Sequence, residues 1–212
     1  MRNDKEEITF KIITLGNAGV GKTSILCRYI SNIFRRDQIA TIGLDFSYKT
    51  VILKNGKKVK LKLFDTAGQE RFQSFSKTYF RNTDCILLVY AVDNYQSFEN
   101  IKDWIQIFTI NHISQQDTLL YLIENKIYLE RKVDQQKIDD FLKDNDKFKF
   151  KSISPALEND SSINDLFQEI SEILYIKYKN IRNRGNIQNN IRLTIKKKKK
   201  KRNTCYECAS YF

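Results

Sequence analysis

Histidine occurs once in this chain, at His112, proline once, at Pro155, and cysteine four times among 212 residues. With a single imidazole, the Cys205-Tyr206-Glu207-Cys208 pair lacks the companions of a usual zinc or redox site. Cys27 and Cys85 lie in apolar segments, where a thiol packs as a small hydrophobe, and that usage suits a reducing compartment. Long hydrophobic runs are missing as well. No stretch approaches the roughly 20 apolar residues that cross a bilayer. The charged start, Met1-Arg2-Asn3-Asp4-Lys5-Glu6-Glu7, does not read as a secretory signal. Acid is absent from residues 177–202, which hold twelve Lys and Arg. The net charge of +12 therefore sits in that segment and the body is near neutral, a globular domain with a basic arm. No internal repeat is visible, and the length suits one α/β domain plus an appendage.

Glycine is also scarce, at seven residues, yet three of them fall within six positions. Gly16-Asn17-Ala18-Gly19-Val20-Gly21-Lys22-Thr23 spells G-x-x-x-x-G-K-T directly after the apolar run Ile8–Leu15. A buried strand that ends in a glycine loop and opens a helix is the phosphate-binding pattern. The glycines let backbone N–H groups of the loop, through Val20 and on to Ser24, face phosphate oxygens. Lys22 supplies charge for the β/γ-phosphates and Thr23 a hydroxyl for Mg²⁺. The following helix aims its positive dipole end at the same anion. The expectation is a nucleoside phosphate.

Apolar runs at Ile8–Leu15, Cys85–Val92 and Leu119–Ile123 read as strands covered on both faces. Phe46–Leu53 and Val59–Phe64 flank Lys54-Asn55-Gly56-Lys57, a hairpin signal, and Phe148–Ile153 reads as a sixth strand. Helical periodicity falls near 22–32, 97–112, 134–144 and 162–178, with Ser97 and Ser162 as expected N-caps. The alternation predicts an α/β fold, a doubly wound, mostly parallel six-stranded sheet with one antiparallel hairpin strand. Ligands then bind at the carboxyl ends of the strands, where the glycine loop already sits. The domain is expected over 1–178, with a disordered basic tail over 179–212.

After the strand Val59–Phe64 comes Asp65-Thr66-Ala67-Gly68-Gln69-Glu70-Arg71-Phe72. An acid at that strand end can hold Mg²⁺ through water, Gly68 can turn its N–H to a γ-phosphate, and Gln69 can orient a water. With Thr41-Ile42-Gly43-Leu44-Asp45-Phe46 upstream and Ser97-Phe98-Glu99-Asn100-Ile101-Lys102-Asp103-Trp104 downstream, residues 8–176 resemble the Rab family of small GTPases. That resemblance implies a GTPase switch of vesicle traffic, monomeric, with Mg²⁺ and GTP or GDP as cofactors. It implies partners at the switch loops, namely effectors, an exchange factor and an activating protein, and no specific nucleic acid. Thr41 matches the switch threonine that meets Mg²⁺ and γ-phosphate, Phe34 the aromatic on the guanine, and Gln69 the catalytic glutamine. Ala18 matches a phosphate-loop position where a small side chain leaves space. Phe46, Phe64 and Tyr79 match the aromatic triad of the effector face, with Phe64 where a tryptophan is usual.

The base-reading segments depart from that pattern. Asn125-Lys126-Ile127-Tyr128 stands where the family has N-K-x-D. Asn125 can still tie loops together and the Lys126 stem can cover the base, but a phenol cannot replace a bidentate carboxylate acceptor. At roughly 1.5–3 kcal/mol for each hydrogen bond to a charged group, the loss is about 3 kcal/mol, or about a hundredfold in affinity. Glu124 and Glu130 are the carboxylates that a register shift would bring in. Ser154-Pro155-Ala156-Leu157 replaces T-S-A-K; Ala156 keeps an N–H for the guanine O6, while Pro155 removes a donor. A rival expectation is thus a degenerate, scaffold-like relative with weak guanine selectivity and little hydrolysis.

Lys196 to Arg202 forms seven consecutive basic residues, attracted to an anionic leaflet at about 1 kcal/mol per charge. The expected location is cytoplasmic, peripheral on an endomembrane. A nuclear GTPase that uses the run for import is the alternative. Four residues follow Cys208, so the three-residue spacing of a C-a-a-X box is not met, and lipidation at Cys205 or Cys208 stays open.

Overall fold

A computed structural model of the protein describes residues 7–34, 44–66, 77–111, 118–157 and 161–183. The chain divides into two compact units, Met1–Glu172 and Ile173–Phe212. In the first unit the order is β1 (Thr9–Leu15), α1 (Lys22–Ser31), β2 (Leu44–Ile52), β3 (Lys58–Thr66), α2 (Lys77–Phe80), β4 (Cys85–Ala91), α3 (Tyr95–Glu99), α4 (Ile101–Asn111), β5 (Leu119–Asn125), α5 (Gln135–Asp144) and β6 (Phe148–Ser152). A last helix, α6, covers 162–172. In the second unit the described residues, 173–183, are helical, so helix extends beyond the expected end at 178.

The six strands form one sheet in the order β2-β3-β1-β4-β5-β6. Only β2 runs antiparallel to its neighbour, with Phe46 opposite Phe64 and Tyr48 opposite Lys62. The other pairs are parallel, as the alternation of strands and helices requires. Every residue of β4 is buried, which is why Cys85-Ile86-Leu87-Leu88-Val89-Tyr90-Ala91 carries no polar alternation. On one face, Ile13, Leu15, Leu88, Tyr90 and Leu122 meet Phe98, Trp104 and Phe141 from the helices after β4 and β5. On the other, Tyr29 of α1 stacks on Phe167 of α6, ring centroids 3.9 Å apart. The fold is the expected doubly wound α/β sheet.

Several boundaries move. The expected 97–112 helix is two helices that meet at Asn100. Ser97 is not its cap: Asn94 is, its Oδ1 accepting from Ser97 N at 3.1 Å. Ser97 is instead buried, and its hydroxyl turns to the backbone of residues 91 and 94. Ser161 rather than Ser162 precedes α6; its carbonyl accepts from Asp165 N and its hydroxyl donates to Asp165 Oδ2. The hairpin turn forms where Asn-Gly placed it, with Gly56 at φ 76° and its N–H bonded to Leu53 O at 2.8 Å. Cys85 is buried and Cys27 half-buried.

Candidate functional site

β1 ends against β4, and the chain must turn there without side-chain bulk. Gly16 has φ +145°, and a Cβ on it would lie 2.2 Å from Val89 O. Gly21 caps α1 at φ 92°, where an added Cβ would lie 2.4 Å from Asn125 Nδ2. A glycine cap offers α1 no side-chain acceptor, and its first turn has no acid. The positive end of the helix is thereby kept for an external anion. Ala18 and Gly19 are exposed at the crown of the loop, Val20 is buried, and Thr23 and Ser24 are half-buried in the first turn.

Lys22 is buried and curls back over the loop. Its Nζ donates to Gly16 O at 2.8 Å and Asn17 O at 3.1 Å, which sets the ammonium beside the loop's own backbone. An ammonium held there can also meet an anion seated in the loop, and a phosphate fits that place. Thr23 Oγ1 donates to Asp65 Oδ2 at 2.6 Å. Asp65 is brought there by the ends of β1 and β3. Thr14 Oγ1 bonds Phe64 O at 3.0 Å and Thr66 Oγ1 bonds Thr14 O at 2.7 Å, fastening the strands on both sides of the acid. A hydroxyl and a carboxylate so close form a hard-oxygen pair of the kind Mg²⁺ takes alongside phosphate oxygens. The donor set fits.

The fifth strand delivers the next residues to the same loop. Asn125 is buried, and its Nδ2 donates to Val20 O at 2.7 Å, joining β5 to the glycine loop. Its Oδ1 accepts from Lys126 N at 2.7 Å, and Lys126 takes the left-handed conformation, φ 61°. Tyr128 is 48% exposed. Ser154 and Pro155 are buried and Ala156 is half-buried in the turn after β6, where Arg28 Nη2 holds Leu157 O at 3.1 Å. Phe34 follows α1, partly exposed. Gly68, Gln69 and Thr41 lie outside the described residues, as do Lys196 to Arg202, Cys205 and Cys208.

Two parts of the site escaped sequence reasoning. Trp104 Nε1 donates to Asn17 Oδ1 at 3.0 Å, so α4 steadies the phosphate loop through a fully buried indole. Glu124, weighed above only as a displaced base reader, has another task. It is 2% exposed and accepts from Tyr90 OH (2.8 Å), Ser152 Oγ (2.8 Å) and both terminal nitrogens of Arg131 (2.5 and 2.9 Å). Burial pushes its pKa up, but the bonds from Arg131, Ser152 and Tyr90 outweigh burial and hold the carboxyl below its ordinary value. Burial and the Glu124 charge together push the Tyr90 phenol far up. With Ile153 N on Glu124 O at 2.9 Å, this residue clamps the roots of both base-reading segments. The signal was present, since an acid closing the apolar strand Leu119–Ile123 calls for a partner.

Comparison with known proteins agrees with this geometry. The sequence model of the Ras family matches residues 11–175. Ras-related protein SEC4 of Saccharomyces cerevisiae is 38% identical over 167 residues, 79% of this chain and 75% of the relative. Human Ras-related protein Rab-30 is 37% identical over 161 residues, covering 75% and 78% of the two chains. GTP-binding protein YPT1 of Saccharomyces cerevisiae is 41% identical over 130 residues, 61% of this chain and 62% of its own. With the glycine loop, the Thr23–Asp65 pair and the Asn125 tie in one place, the chain belongs to the Rab branch of the Ras family of small GTPases.

Proposed function

We propose that this protein binds guanine nucleotide, hydrolyses GTP to GDP and phosphate, and serves as a switch in vesicle traffic, peripheral on an endomembrane. The observation that carries this reading is the convergence of Lys22, the Thr23–Asp65 pair and Asn125 on one glycine loop. In it the loop N–H groups and Lys22 bind the phosphates, while Thr23, Asp65 and Thr41 hold Mg²⁺. The metal supplies neutralisation of charge on the phosphate oxygens. Gln69 orients the attacking water, Gly68 donates to the γ-phosphate, and Asn125, Lys126, Phe34 and Ala156 frame the base. Hydrolysis is slow alone and accelerated by an activating protein that contributes an arginine. The basic segment Lys196 to Arg202 supplies attraction to anionic lipid. Single-turnover hydrolysis of GTP, with Gln69→Leu beside it, tests the reading. A rate no higher than that of Gln69→Leu overturns the enzymatic part.

A second reading is favoured by Tyr128. It occupies the aspartate position half-exposed, and Glu124 is committed to Arg131 rather than turned to a base. No carboxylate among the described residues of that segment replaces the lost acceptor, since Glu130 is exposed beyond it. The protein then grips phosphates firmly and guanine loosely, and acts closer to a scaffold. Affinities for GTP, XTP and ATP separate the two: a strong preference for GTP over ATP favours the switch, and near-equal affinities favour the scaffold.

A further inference from the structure

Residues 125–130 form a loop that is closed twice at its base. In the backbone, Val92 takes both feet: its N–H donates to Asn125 O at 3.0 Å, and its carbonyl accepts from Lys132 N at 2.7 Å. In the side chains, Glu124 before the loop and Arg131 after it make a two-pronged pair at 2.5 and 2.9 Å. The two partners differ in their surroundings, Glu124 being 2% exposed and Arg131 40%. Tyr90 OH and Ser152 Oγ also donate to the carboxylate, so the buried partner is fastened to β4 and β6 while Arg131 stands at the surface. Inside the loop, Leu129 N donates to Lys126 O at 2.8 Å, and Lys126 holds φ 61°.

We infer that the Glu124–Arg131 pair is a latch that sets how long nucleotide stays bound, with Asn125 as the part that transmits it. This role rests on the proposed function and deepens it. Neither residue is required to touch the base, and both are positioning residues. Asn125 adjoins Glu124, and its side chain faces two ways, Nδ2 to Val20 O of the glycine loop and Oδ1 to Lys126 N, each at 2.7 Å. It serves both only while the end of β5 keeps its place. There is little slack, since a Cβ on Gly21 would lie 2.4 Å from Asn125 Nδ2. With the latch closed, the loop is ordered before nucleotide arrives, and binding does not bear that cost. Without Arg131, Glu124 is left a buried carboxylate with only hydroxyls for side-chain partners, and water or the chain must shift to meet it. Changes of this kind act on departure more than on arrival. Tyr128 increases the dependence: it offers the base no carboxylate, so retention leans on how Asn125, Lys126 and Ala156 are held.

Release of a fluorescent GDP analogue from the loaded full chain, chased with excess unlabelled GDP in Mg²⁺, tests the latch, and stopped-flow mixing gives association beside it. Arg131→Gln and Glu124→Gln are expected to release nucleotide about fivefold or more faster than the native chain, with association within about twofold. Arg131→Lys keeps the charge without the two-pronged contact and is expected to fall between native and Arg131→Gln. Because the two residues serve one contact, the double variant is expected to match the faster single within about twofold rather than multiply the two effects. Tyr121→Phe is the control for stability alone. It removes a bond to Glu169 Oε1 at 2.7 Å from the same strand, and its release is expected to stay within about twofold of native. Release from Tyr121→Phe as fast as from Arg131→Gln, or multiplied effects in the double variant, overturns the latch. A native chain that takes up no GDP overturns the proposed function and the latch with it. Uptake followed by one release rate for the native chain and Arg131→Gln overturns the latch alone.

Discussion

Gly21 does two things that no other residue type does at once. It holds φ 92° and leaves room for the Asn125 amide that grips Val20. Gly21→Ala is therefore expected to strain the loop and break that tie, lowering GDP affinity about tenfold or more, as measured by nucleotide retention on gel filtration. Glu124→Gln probes the clamp under the base-reading segments. At neutral pH it is expected to cost about 1–2 kcal/mol, moderated because Arg131 is 40% exposed. Glu124 is held below its ordinary pKa, so its stabilisation is present above the unfolded value and disappears as pH falls through the lowered one. The gap in Tm between the native chain and Glu124→Gln thus narrows on acidification below about pH 4.5. Restoring the missing carboxylate with Tyr128→Asp is expected to raise GTP affinity about a hundredfold and leave ATP affinity nearly unchanged, read by competition titration. The phosphate-binding residues were legible because their pattern is contiguous in sequence. Trp104 and Asn17 were not, since 87 residues separate the donor from its acceptor.

At the scale of elements, periodicity located each strand to within about two residues, because burial on both faces leaves β4 an unbroken apolar run and β1 and β5 with few polar interruptions. It failed where one turn of helix gives way to another. Asn100 accepts no apolar role, yet Phe98, Ile101 and Trp104 keep a helical spacing across it, so two helices read as one. Ser97 looked like a cap from its residue type, but its hydroxyl serves the end of β4 from a buried position. The short α2 carries too few residues for a period, and it matters all the same. It brings Tyr79 to Phe64, ring centres 5.8 Å apart, and Phe64 to within 5.6 Å of Phe46. The three aromatics matched to the family's triad therefore meet. Phe64→Ala is expected to destabilise the unit by about 2–3 kcal/mol, less than a fully buried phenylalanine because the ring is half-buried, as measured by urea unfolding.

At the scale of the whole molecule, the charge divides between a near-neutral body and a basic segment, and the proposed function gives each its own task. A chain ending at residue 183 keeps every described helical residue and is expected to retain nucleotide affinity. The full chain is expected to bind phosphatidylserine vesicles, more weakly as salt rises, and the shortened chain to lose that binding. Cosedimentation of both chains measures this, and equal vesicle binding by the shortened chain would refute the assignment. Trp104 adds a property of another kind. It is the chain's one tryptophan, buried among Leu15, Tyr90 and Ile101, with its indole N–H on the phosphate loop. Red-edge excitation passes over the eleven tyrosines and lights this indole alone. Through its bond to Asn17 this indole is expected to report on the phosphate loop, its emission changing as nucleotide is released or exchanged, read by stopped-flow fluorescence with no label attached. In Asn17→Ala the emission is expected to shift at once and to stop responding to the nucleotide.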